Sequence, residues 1–160
     1  MKTILFLIAL LQTLLLSSEL QIKAQSFYAD EKGGISVFEG DVNIIKGYDE
    51  LNASKVTVYI DENKTPVKFI AEVDVSFKVQ TKDGVKYEGI AQKAIYLPST
   101  KEYIFYKNVH LRQLGDKKEI KGEEVVLKIM ENKAYAKGAK KEPVIMIFEF
   151  KEENEKGDTK

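Results

Sequence analysis

His110 is the only histidine and there is no cysteine, and these two facts restrict the chemistry this chain can perform. A transition-metal site needs convergent imidazole or thiolate donors, and one histidine cannot provide a familiar ligand spacing. A Ser-His-Asp arrangement would have to use His110, and no nucleophile-elbow sequence accompanies it. No G-x-G-x-x-G or P-loop run occurs, and Lys32-Gly33-Gly34 reads as a turn. The carboxylates are interleaved with lysines, the pattern of a solvated sheet face. His110 lies between Val109 and Leu111, in the polar register of an alternating stretch, so a solvent-facing strand residue is expected there. The sequence predicts no catalytic residue, no metal and no cofactor.

Covalent modification is a separate possibility. Asn52-Ala53-Ser54 and Asn63-Lys64-Thr65 are Asn-x-Ser/Thr sites, and Glu50 and Asp61 each stand two residues before the asparagine. That arrangement resembles the extended acceptor motif of bacterial N-glycosylation, which acts on exported chains. Asn63 falls in a predicted turn and is the more accessible of the two.

The elements that carry these residues are strands. Turn signals recur about every 16 residues, at Lys32-Gly33-Gly34, Gly47-Tyr48-Asp49, Glu62 to Pro66, Asp83-Gly84, Pro98-Ser99-Thr100, Leu114-Gly115-Asp116, Glu131-Asn132-Lys133 and Gly138-Ala139-Lys140. Between them the period is two. Val67, Phe69, Ala71, Val73, Val75, Phe77 and Val79 fall on one side of a strand, and Lys68, Glu72, Asp74, Ser76, Lys78 and Gln80 on the other. Similar rows are Phe38, Val42 and Ile44; Val56, Val58 and Ile60; Tyr103, Phe105, Val109 and Leu111; Val125, Leu127 and Ile129; and Val144, Met146, Phe148 and Phe150. Long antiparallel strands joined by short turns, each with one apolar face, make the chain all-β.

The ends differ from this body. Met1 and Lys2 precede an apolar run from Ile4 to Leu16, followed by the small residues Ser17 and Ser18. The run has 13 residues, short of the ~20 that cross a bilayer. Residues 1–18 therefore read as a cleavable signal peptide, and export is expected. No cysteine follows to carry a lipid anchor. Residues 151–160 read as a disordered polar tail. The 25 basic and 25 acidic side chains balance, and losing Lys2 leaves 24 against 25, about −1. A neutral chain is a poor non-specific binder of nucleic acid.

A weak repeat runs through the body. Gly40-Asp41-Val42-Asn43-Ile44 is echoed by Glu72-Val73-Asp74-Val75 and by Asn108-Val109-His110-Leu111, in units 31 to 38 residues apart. Val37-Phe38-Glu39-Gly40-Asp41-Val42 is similar to the phrase F-x-G-N-V of the LptA (OstA-like) family. Leu51-Asn52-Ala53-Ser54-Lys55-Val56 resembles its L-x-A-D-K-V strand, and Tyr87 to Tyr96 its G-x-A-x-x-A-x-Y strand. Ile120-Lys121-Gly122-Glu123-Glu124-Val125 is similar to I-x-G-D-x-I, and Ala134 to Gly138 to the closing segment. Departures include Asp41, where Asn is commoner, and Glu72 in place of a glycine.

The resemblance spans about Phe27 to Phe150, taken as the domain, 27–150. It implies an LptA-type β-jellyroll, an incompletely closed V of antiparallel strands. It further implies a periplasmic protein of Gram-negative type that carries lipopolysaccharide to the outer membrane. Such a protein would receive its cargo from LptC of the inner-membrane LptBFGC complex and pass it to LptD, with head-to-tail self-association through exposed edges. Each methylene exposed to water costs about 0.8 kcal/mol, so several acyl chains need a long apolar cover. The lipid A acyl chains would lie against Phe38, Val42, Ile44, Val56, Val58, Phe69, Val73, Val75, Phe77, Phe105, Val109, Leu111, Val125 and Leu127. Phe38 and its neighbours would form one docking edge, and Val144 to Phe148 the other. The alternatives are an LptC-like inner-membrane-anchored partner of the same pathway and a ligand-free structural β-repeat protein.

Overall fold

Each turn marked in the sequence separates two strands. The computed structural model describes residues 19–149, so the signal reading of 1–18 and the tail at 151–160 lie outside the described residues. The strands are β1 (Leu20–Lys23), β2 (Ser26–Asp30), β3 (Ile35–Lys46), β4 (Asp49–Ile60), β5 (Pro66–Gln80), β6 (Lys86–Leu97), β7 (Glu102–Gln113), β8 (Lys118–Lys128), β9 (Lys133–Lys137) and β10 (Ile145–Phe148). The described residues contain no helix. β3 to β8 pair consecutively and antiparallel, as short hairpin turns dictate. The β-fold begins at Leu20, ahead of the Phe27 that the motifs alone mark.

The two outer strands of this array are each capped in two pieces. β2 pairs with Ile35 to Glu39 of β3, and β1 with Asn43 to Lys46. At the far side β9 pairs with Glu124 to Lys128 of β8, and β10 with Lys118 to Lys121. Phe38 is therefore not at an edge. It is half-buried, with its ring 4.9 Å from that of Phe27 on β2. The edge on this side belongs to β1 and β2, strands of four and five residues, too short for period-2 reading to register.

A crease divides every long strand. Register breaks occur between Glu39 and Val42 on β3, Glu72 and Val75 on β5, and Tyr106 and Val109 on β7. At each break two residues have left-handed backbone: Gly40 and Asp41, Val73 and Asp74, Lys107 and Asn108. These are β-bulges, which bend a strand and sharpen its twist, and they coincide with the sequence repeat. The intervening strands answer with a parity change, burying residues three apart: Ala53 and Val56 on β4, Ala91 and Ala94 on β6. Small side chains sit where the sheet folds most tightly, and Ala53, Ala71, Ala91 and Ala94 are all at most 6% exposed.

The crease turns one sheet into two facing halves. The first half holds β2, the start of β3, β5 and β7, the end of β4, β6 and β8, and β9. The second holds β1, the complementary parts of β3 to β8, and β10. Phe77 of the second half stacks on Phe105 of the first, with ring centroids 3.7 Å apart. Phe77 is in register with Gly89 and Leu111, so on a flat sheet Phe105 would lie about 15–20 Å further along its strand. That contact requires the halves to close on each other. The result is the open β-jellyroll expected from the sequence, with its V unjoined at β1/β2 and β9/β10.

Candidate functional site

The facing halves enclose an apolar interior. Val56, Phe105 and Val125 are completely buried, and Val42, Val58, Val75, Phe77, Val109, Leu111 and Leu127 are at most 4% exposed. Phe38, Ile44 and Phe69 are half-buried and pack against this core. Thirteen of the fourteen residues assigned to the apolar face thus point inward, and Val73 does not. It lies in the β5 bulge with φ 67° and is 52% exposed, because the extra residue turns it out of the alternation.

The interior opens at the mouth of the V. There a pocket of 280 Å³ is lined by Leu20 of β1, Ile44 of β3, Leu51 of β4, Pro66, Phe69, Phe77 and Val79 of β5, Tyr96 of β6, Pro98 and Tyr103. Lys46, Asp49, Glu50 and Thr65 complete its rim. Phe69 and Phe77, eight positions apart on β5, both line this pocket because the crease brings the two ends of that strand together. Phe77 lies over Gly89, where an added Cβ would come within 2.7 Å of its ring and closer still to the His110 carbonyl oxygen. Leu20, Leu51 and Tyr96 escaped the sequence reading. The parity change on β4 and β6 hides the inward row from any period-2 search, and Leu20 precedes the first strand then recognised.

Two hydrogen bonds cross the mouth from one half to the other. The Tyr103 hydroxyl of the first half donates to Asp49 Oδ2 of the second at 2.8 Å. Asn132, in the β8–β9 turn, donates to Asp83 in the β5–β6 turn. Asp49 Oδ1 also accepts from the Gln80 amide at 2.9 Å. Burial pushes the Asp49 carboxyl above its ordinary pKa, against the lowering effects of Tyr103, Gln80 and Lys46. Burial, together with the adjacent Asp49, likewise pushes the Tyr103 hydroxyl far up. Its ring is held by Tyr96, with centroids 4.5 Å apart.

The outward faces carry charge ladders. Glu50 pairs with Lys78 at 3.3 Å, Glu88 with Arg112, Glu39 with Lys55 at 3.0 Å and Glu72 with Lys93 at 3.2 Å. His110 lies on this outer surface with Nε2 2.9 Å from Glu119 Oε2, and its contact holds the Glu119 carboxyl below the usual range. Such pairs set register and solubility more than stability. Among the described residues no group of three metal-ligating side chains converges. Asn63 is exposed in the β4–β5 turn, where the Asp61 carboxylate accepts from its amide at 2.9 Å. Asn52 is half-buried within β4, with its side chain bonded to Asn43 and Ser76.

An open β-jellyroll with this apolar interior has a counterpart among known families. A family model described as "LptA/(LptD N-terminal domain) LPS transport protein" matches residues 21–133. The chain belongs to this lipopolysaccharide transport family. No curated protein sequence matches it significantly. Among solved structures it is similar to LptH of Pseudomonas aeruginosa, described as the LptA-homologous periplasmic component of the conserved lipopolysaccharide transport device. The TM-score is 0.73 at 18% identity, over 82% of this chain and 96% of that one. At that identity the likeness speaks for the fold. The family match extends from β1 to the start of β9, so this member's crease and, Leu20 apart, the lining of its mouth pocket lie within the matched region.

Proposed function

We propose that this chain is a periplasmic bridge protein that carries lipopolysaccharide from the inner to the outer membrane, holding the lipid A acyl chains between its two half-sheets. The observation that carries this reading is the apolar pocket at the mouth, continuous with a core of Val, Phe and Leu side chains. Shape-insensitive aliphatic and aromatic surface suits a cargo that must slide. A space of 280 Å³ is at the lower end for a drug-sized ligand, so a multi-acyl lipid enters only as the halves part. The Asp49–Tyr103 and Asp83–Asn132 contacts are then the ties that resist opening. The outer edges of β1/β2 at one side and of β9 at the other fit strand addition by LptC at one end and LptD at the other, and by further copies of the chain. Export rests on the signal reading of residues 1–18. The exposed Asn63 is the proposed glycan acceptor, for which intact mass of protein from the native host is the check.

A ligand-free structural role is the second reading, favoured by the complete burial of Val56, Phe105 and Val125. Titration with a fluorescent lipid A separates the two. The bridge reading expects saturable binding by the wild-type chain. It also expects loss of binding in Phe69→Asp, a half-buried position on the pocket wall, with the β circular-dichroism spectrum retained. A folded wild-type chain that binds no lipid would leave the structural reading standing.

A further inference from the structure

We infer that Lys46, Lys82 and Lys101 form an anion site at the mouth, which holds the phosphate-bearing end of an acylated lipid while its chains enter the adjoining apolar pocket. This rests on the lipid-carrying reading above and adds the headgroup chemistry to it. Beside the apolar pocket lies a second recess of 480 Å³. The two share Lys46, Asp49, Tyr96 and Tyr103, so they form one opening with two linings. Lys46 ends β3 and Lys82 follows β5, both on the rim of the second half, whereas Lys101 precedes β7 on the rim of the first. All three are exposed, and among the described residues none forms an ion pair.

Convergence sets the mouth apart: three lysines without an ion pair line one recess, whereas Lys55, Lys78 and Lys93 are each matched by a carboxylate on the neighbouring strand. The acids nearby are already engaged. Asp49 accepts from Tyr103 and Gln80 and feels the Lys46 charge beyond ion-pair distance, and Asp83, beside Lys82, accepts from Asn132. A fourth cation, Lys86, lies 4.6 Å from the ring centroid of Tyr48, another residue of the recess. Unmatched cations gathered at a cleft repel one another and focus a positive potential into it, which an anion relieves. A phosphate monoester accepts several charge-assisted hydrogen bonds from ammonium groups. Free phosphate would need only the lysines, whereas a lipid phosphate uses the lysines and the apolar wall next to them.

The test uses the purified full chain, the Lys46→Gln/Lys82→Gln/Lys101→Gln variant, and a Lys23→Gln/Lys121→Gln/Lys140→Gln control with the same change in net charge. Each is titrated with diphosphorylated lipid A, with the same lipid A after dephosphorylation, and with inorganic phosphate. The expected result is a loss of at least tenfold in affinity for the diphosphorylated lipid in the mouth variant alone. Affinity for the dephosphorylated lipid should fall far less, and inorganic phosphate should bind far more weakly than the lipid. Equal affinity of wild type and mouth variant for diphosphorylated lipid A, or an equal loss in the control, overturns the inference and leaves the lipid-carrying reading intact. Tight binding of inorganic phosphate with lipid affinity indifferent to the lysines makes the site one for a free anion, and also overturns it. A wild-type chain that binds neither lipid defeats the lipid-carrying reading, and the inference with it.

Discussion

Tyr103→Phe isolates the tie across the mouth. The substitution keeps the ring that stacks on Tyr96 and Phe105 and removes only the hydroxyl that donates to Asp49. A hydrogen bond to a charged partner contributes about 1.5–3 kcal/mol, and Asp49, shielded by burial, recovers little from solvent while the mouth is shut. In an opened V the carboxylate is hydrated and loses nothing, so the whole cost falls on the closed form. Apparent affinity for a ligand of the open form rises in proportion to that form's population. The substitution should therefore lower unfolding free energy by about 1.5–3 kcal/mol and tighten lipid A binding roughly 10- to 150-fold. Urea denaturation and fluorescent lipid A titration, both at pH 8, measure the two effects on one preparation. Lost stability with unchanged or weaker lipid affinity would refute the reasoning, since the tie would then be structural and the mouth no gate.

The remaining predictions concern backbone and charge. Val73→Asn should raise stability by about 1 kcal/mol in urea denaturation, because Asn tolerates the left-handed backbone that strains a β-branched residue. Val73 is half-exposed there, and a fall of similar size would show that the bulge needs its side chain. Gly89→Ala should cost several kcal/mol, since the new methyl meets both the Phe77 ring and the His110 carbonyl; a wild-type melting temperature would contradict the close seating of Phe77. Asp49→Asn tests the raised carboxyl. A folded-state pKa above the unfolded value of 3.8 means that the folded chain binds the proton more tightly, so its contribution is full below pH 3.8 and is lost as pH rises through the folded pKa. The melting temperature of Asp49→Asn relative to wild type should therefore be higher at pH 7 than at pH 4, and the opposite trend would reverse the assignment.

Much of this architecture was legible because each strand repeats one rule. The alternation along β5 and the regular turn signals identify the strands, their antiparallel order and most of the inward face. The crease is harder to see, although its trace is present. Phe105 and Val109, or Phe38 and Val42, are four apart where the alternation calls for two, and that gap is the bulge. Val73 leaves the inward row for the same reason, since a period-2 pattern treats every second residue as inward and cannot register an inserted one. The mouth was out of reach. Asp49 and Tyr103 are separated by 54 positions, and only the folding of the sheet on itself brings them together. The three mouth lysines come from one strand end and two separate turns and look like any other solvated lysine until the halves close.

The central claim is that the interior between the half-sheets carries lipid in the cell. Site-specific photo-crosslinking tests it directly, with the photoreactive residue at Phe69, on the pocket wall with room at the mouth, and a control at Lys78 on the outward face. A lipopolysaccharide adduct is expected at Phe69 and none at Lys78. A folded, exported chain with no adduct at Phe69, or with equal adducts at both positions, would contradict it.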